Sequence, residues 1–175
     1  IECNYLNPDV EVIAEVNTAE SFETFAESLN TGHGLIGTTH AEDMETLVNR
    51  VVEQDIPPYL LREIDLVVFP RRTDGERYVG EVVELLDEQS FADLDRDDRC
   101  GVVRKQGTTV YWNSVAWREP TGEFGFAYDH PELDGTTADD GTTEESCNLH
   151  TFERIASLTD RSVEAVEDEF LRKHR

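Results

Sequence analysis

The stretch Asn30–Asp43, NTGHGLIGTTHAED, places His33 and His40 on either side of a Gly- and Thr-rich apolar core. Imidazoles can carry a proton near neutral pH or hydrogen-bond an anion. The carboxylate that could work with them is Glu15, at the close of the apolar run VEVIAEV. A carboxylate after an apolar strand is how nucleoside triphosphatases hold Mg2+ or orient a water. An imidazole on the adjacent strand could hydrogen-bond a γ-phosphate and report its loss. Taken singly, each residue has a plainer reading: Glu15 as a strand terminus meeting solvent, the histidines as capping or packing groups. Together they call for two neighbouring parallel strands whose carboxyl ends carry Glu15 and Thr39–His40, with His33 beside them.

Rival chemistries fit less well. Cys147 and His150 form C-x-x-H, and Cys100 and His130 could complete a Zn2+ set, but the spacings are irregular and no metal site is expected. A two-histidine phosphoesterase needs H-x-[ST] pairs, whereas His33 is followed by Gly-Leu and His40 by Ala-Glu. GHGLIG has the glycines of a dinucleotide loop but follows a helical pattern rather than a strand.

The elements that must position these residues follow from periodicity. Val10–Val16 reads as a short buried strand. From Glu20 the period changes, and Phe22, Phe25, Ala26 and Leu29 form one helical stripe, with Thr18 as N-cap and Gly32 where a left-handed residue ends a helix. Gly34–Thr39 is the next strand, and Met44, Leu47, Val48 and Val51 repeat the helical stripe. Pro57 and Pro58 open a short helix. Asp65–Pro70 is a strand, and Thr73–Gly75 turns it into RYVGEVVELL as an antiparallel hairpin. Strands separated by helices predict βα units and a largely parallel sheet over residues 1–90. Residues 91–175 read as a smaller α+β appendage. It has aromatic strands in TTVYWNSVAW and EFGFAY, an acidic low-complexity loop at 129–146, and terminal helices, the last capped by Ser162 with Val163, Val166 and Phe170 inside.

The 175 residues carry a net charge of -24, with Lys105 and Lys173 the only lysines. Such a surface repels phosphate backbones and anionic lipid, which argues against nucleic-acid partners. Acidic residues interleaved with periodic Val, Leu, Ile and Phe predict a folded protein hydrated for high salt. No apolar run has membrane-spanning length and no signal peptide is visible. Three widely spaced cysteines fit a reducing cytoplasm. The first residue is Ile, so the expectation is a piece of something longer or a processed product.

The segment NPDVEVIAEVNTAESFETFAESLNTGHGLIGTTHAED resembles the C-terminal half of the secretion ATPase superfamily, whose motors drive type II and type IV secretion and pilus and archaellum assembly. That family has a degenerate Walker B strand ending in Gly-Glu, a helix, and a TGH…T.HA histidine box. These match VIAEV with Glu15, and TGHGLIGTTHA with His33 and His40. NRV, IPPYLLREIDLVVFPRR, YVGEVVEL, VYWNSVAW and TFERIASLTDRSVEAVEDEF resemble the archaeal branch, and the acidic surface fits a halophile. The resemblance implies the C-terminal part of a RecA-like P-loop NTPase sheet. Glu15 would polarise the attacking water or act through Mg2+. His40 and Thr39 would face the γ-phosphate, and His33 would brace the loop. It implies ATP and Mg2+ as cofactors of the complete motor, and sister subunits of a hexameric ring or a separate P-loop-bearing half as partners. A polytopic membrane protein would complete the assembly, placing it in the cytoplasm against the inner face of the membrane. The chain departs from the family where Gly-Glu-x-Arg becomes Ala14-Glu15-Val16-Asn17, which loses a charge-assisted contact. No G-x-x-x-x-G-K-[ST] occurs, so a phosphate cradle is missing and this chain alone binds no nucleotide in this reading. The alternative is a non-catalytic assembly or regulatory module, or a gene remnant that keeps the fold.

Overall fold

The computed structural model describes residues 10–29, 34–94, 99–126 and 150–173. The chain divides into two compact units, one of residues 1–64 with 101–111, the other of 65–100 with 112–175.

The first unit opens with β1 (Val10–Ile13), α1 (Ala19–Leu29) and β2 (Gly34–Gly37). β1 and β2 pair in parallel, with Val12 opposite Ile36 and Ile13 opposite Gly37. The helix between them carries the chain back along the strand direction, which makes the pairing parallel. Thr18 caps α1: its hydroxyl accepts from the Ser21 N–H at 3.2 Å. Beyond the regular ladder the strands stay joined, since the Val16 N–H donates to the Thr38 carbonyl at 2.7 Å. α2 (Met44–Glu53) is capped by Asp43, whose carboxylate accepts from the Thr46 N–H at 2.7 Å. Met44, Leu47, Val48 and Val51 are buried, the stripe that their spacing predicts. α2 stops at Asp55, whose φ is 57°, with Ile56 N–H returning to the Val51 carbonyl in a Schellman closure. A 3-10 helix, Pro58–Glu63, follows.

The second unit is built on β3 (Leu66–Thr73) and β4 (Glu76–Leu86), an antiparallel hairpin. Its turn residues Asp74 and Gly75 have φ of 52° and 89°, the positive pair that a two-residue turn matched to strand twist needs. α3 (Glu88–Ala92), β5 (Cys100–Lys105), β6 (Thr108–Arg118), β7 (Phe124–Phe126), α4 (His150–Thr159) and α5 (Val163–Lys173) complete the element order. The strand order is β3-β4-β6-β5, with β7 paired antiparallel to Ala116–Arg118 of β6. Pro70 sits at a register shift in β3, an outer strand of that order, where a missing N–H is tolerated. Glu84 of β4 is 1% exposed, and one carboxylate oxygen takes both the N–H and the hydroxyl of Thr151, fixing the start of α4. Ser162 caps α5, accepting from Ala165 N–H at 3.2 Å, and Val166 is buried.

The architecture is mixed α/β. The expectation of a largely parallel sheet through residue 90 is corrected: among the described residues only β1 and β2 pair in parallel, and β3 and β4 enter a five-stranded antiparallel sheet. The tight Asp74–Gly75 turn forces β4 back along β3, and no helical crossover separates them. β5, which periodicity did not single out, pairs with β6 across the Gln106–Gly107 turn, whose φ values are 48° and 75°. Gly32, Phe170's side chain and the loop at 129–146 lie outside the described residues.

Candidate functional site

The end of β1 and the end of β2 carry the residues that could do chemistry. Because the strands are parallel neighbours, their carboxyl ends emerge side by side. His40 Nε2 lies 3.1 Å from Glu15 Oε1. The side chains are 75% and 60% exposed, so the pair stands in solvent at the rim of the sheet. An exposed pair of this kind contributes at most about 1 kcal/mol to stability, so it is no fold-determining contact.

Asn17 ties the site together. Its amide Nδ2 donates to the same Glu15 Oε1 that His40 meets. Its carbonyl Oδ1 accepts from the Thr39 hydroxyl at 3.3 Å and from Arg50 Nη2 at 3.2 Å. Three segments converge here: the turn after β1, the turn after β2, which carries Thr39 and His40, and α2. Thr38 adds a hydroxyl bond to the Ala14 carbonyl, pinning the two turns together. The cluster offers an open carboxylate, an imidazole, a hydroxyl and a guanidinium within one hydrogen-bonded group. Such a set can accept a proton from a water and donate to an anionic oxygen.

Glu15, Thr39 and His40 are therefore brought together, whereas His33 lies outside the described residues. Asn17 and Arg50 are the participants that sequence reasoning missed. The sequence marks position 17 only as a lost charge, yet a guanidinium reaches that side chain from α2. The signal in the sequence was faint: Arg50 is a basic residue near the C-terminal end of a helix, where such residues are common for dipole reasons alone.

Cys147 and His130 lie outside the described residues, and His150 Nδ1 is 3.0 Å from Glu153 Oε2. Among the described residues no group of three or more His, Cys, Asp or Glu side chains is placed to hold a metal ion. The second unit has an open cleft of about 630 Å3 lined by Arg71, Tyr78, Gly80, Arg118 and the 119–122 turn. The Arg118 guanidinium covers the Tyr78 ring at 4.3 Å. Among the described residues no helix is long and apolar enough to cross a membrane. No protein-family model matches the sequence, and no curated protein matches it.

Proposed function

We propose that this chain is the C-terminal portion of a RecA-like ATPase motor of the secretion, pilus or archaellum assembly type, contributing one wall of a nucleotide site. The observation that carries the reading is the meeting of Glu15 and His40 at the carboxyl ends of two parallel strands, 3.1 Å apart and open to solvent. In this reading Glu15 accepts a proton from the attacking water, His40 hydrogen-bonds toward phosphate oxygens, and Thr39 lies beside them with its hydroxyl donated to Asn17. His33, to which the resemblance assigns the bracing of the loop before β2, lies outside the described residues. The nucleotide, with Mg2+, supplies the phosphoryl group. The residues present suit one side of that group, a proton acceptor with flanking donors, but not its cradle, since the sequence has no P-loop.

A P-loop-bearing half, as a separate chain or a sister subunit, supplies the rest. The exposure of the small sheet supports this. Val12 and Ile36, register partners on one face of β1–β2, are 67% and 57% exposed. Parallel strands in folded proteins are normally covered on both faces. The assembled ring would sit in the cytoplasm against a polytopic membrane protein. The absence of a P-loop also favours a second reading, a non-catalytic assembly or regulatory module that keeps the fold.

The test is reconstitution. The chain alone should release no phosphate from Mg2+-ATP in high salt. Combined with a P-loop-bearing polypeptide from an adjoining reading frame, it should hydrolyse ATP at about 1 per second or faster. Turnover by the chain alone at that rate, or none from the pair, overturns the motor reading. An inert pair favours the regulatory module.

A further inference from the structure

We propose that Arg50 is a positioning residue for Glu15, acting through Asn17. The inference rests on the reading of Glu15 as the proton acceptor and adds how that carboxylate is aimed. The polarity of Asn17 is settled by its neighbours. Arg50 Nη2 and the Thr39 hydroxyl both approach Oδ1, at 3.2 Å and 3.3 Å, and a guanidinium can only donate. Oδ1 therefore faces α2 and β2, and Nδ2 is left to face Glu15, to which it donates. The resulting chain runs in one direction, from Arg50 to Asn17 to Glu15 Oε1. His40 meets that same oxygen. Both contacts fall on Oε1, so the chain presents Oε2 as the oxygen for an incoming water.

Arg50 is suited to a fixed role. Its residue is half-buried, and its Nε is buried with no hydrogen-bond partner among the described residues. Asn17 is thus what the guanidinium is held against. A polarising cation at the far end strengthens the amide's donation to the carboxylate.

A charge-relocation cycle tests this in the reconstituted pair. Arg50→Met keeps the buried stem and removes every donor. In the native Asn17 background it should lower turnover about tenfold or more with KM for ATP unchanged. In an Asn17→Arg background, where a guanidinium can reach Glu15 directly, the same change should cost less than about twofold. Arg50→Lys, which restores a charged donor, should return part of the loss. A merely structural role for Arg50 predicts equal losses in both backgrounds, and that result overturns the proposal, as does no loss in the first. If Arg50→Met fails to fold by circular dichroism, Asn17→Ala replaces it and should give the same tenfold loss; unchanged turnover overturns the relay.

A second readout needs no nucleotide. In the chain alone, the Glu15 carboxylate 13C resonance and the Asn17 side-chain amide pair should move on Arg50→Met. They should stay in place on Arg62→Met, whose guanidinium donates to the Thr109 carbonyl at 2.9 Å. Unmoved resonances in Arg50→Met overturn the relay. An inert reconstituted pair with moved resonances overturns the motor reading and leaves the relay standing, so the two failures are distinguishable.

Discussion

At the scale of single residues, His40 meets Glu15 Oε1, but the expected contributions of the two residues differ. Glu15→Gln keeps the shape and loses the proton acceptor, so turnover of the reconstituted pair should fall at least about a hundredfold, with nucleotide affinity retained. His40→Ala should also lower turnover with little change in affinity, as a group acting in the transition state requires. Equal hydrolysis rates in parent and His40→Ala pairs remove His40 from the mechanism. Asp87 tests a purely structural carboxylate. It caps α3, accepting from the Ser90 N–H at 2.7 Å, and that backbone bond is the main reason its carboxyl is held below the usual 3.8. A carboxylate with a depressed folded pKa adds stability that is present above its unfolded value and lost as pH falls through the folded one. As an exposed cap screened by solvent, Asp87→Ala should cost no more than about 0.5–1 kcal/mol at neutral pH, and the charge-dependent part of that difference should close as the pH falls below 3.8. Denaturant melts across a pH series measure it, and a gap that stays constant into strong acid refutes the cap's charge dependence. Glu15 and His40 were legible in the sequence because residues at strand ends are placed by topology. Arg50 was not, because its reach to Asn17 depends on where α2 is packed, which no local spacing encodes.

At the scale of elements, two glycines show two different constraints. Gly107 has φ of 75° and open space around it, so Gly107→Ala should cost about 1–2 kcal/mol from backbone strain alone. Gly37 has an ordinary backbone, but a Cβ there would lie 2.8 Å from the Phe25 ring of α1. Gly37→Val should cost about 1–3 kcal/mol by pushing α1 off β2. It should also loosen the Thr38–His40 turn, which hydrogen exchange at Val16 and Thr38 would register; unchanged exchange means the turn does not depend on this packing. The α2 stripe was legible because burial follows a single period: Met44, Leu47, Val48 and Val51 are inside as their spacing requires; in α1 only Phe22 of the expected stripe is buried. β5 was not legible. CGVVRK is short, Val102 is 38% exposed, and its turn, Gln106–Gly107, lacks the Asn-Gly or Asp-Gly signature that marked Asp74–Gly75. The parallel expectation carried too far for a related reason. Alternation along Leu66–Phe69, with Leu66 and Val68 exposed and Phe69 buried, is the mark of a half-covered strand in an antiparallel sheet.

At the scale of the whole molecule, the charge of -24 dominates. With 39 acidic residues against 15 basic ones, most carboxylates have no cation to pair with. The ion pairs that do form, such as Arg99–Glu119 at 3.1 Å and Arg161–Glu169 at 2.8 Å, are partly exposed and individually weak. We expect the repulsion among the remainder to exceed their sum, so that the folded state relies on screening by dissolved salt. The Debye length is about 3 Å at 1 M salt and about 30 Å at 0.01 M. At the lower concentration it spans a small domain, so nearly every carboxylate repels nearly every other. The folded state concentrates these charges more than the unfolded chain does, so lowering the salt must favour expansion. Circular dichroism and small-angle scattering across a potassium chloride series should show native helix content and a compact radius at molar salt. Ellipticity should fall and the radius grow as salt is withdrawn. The buried clusters around Val48 and Val83, both 0% exposed, oppose that expansion. If they hold the fold unchanged down to 0.01 M, hydrophobic burial outweighs the self-repulsion, and the acidic surface is no adaptation to high salt.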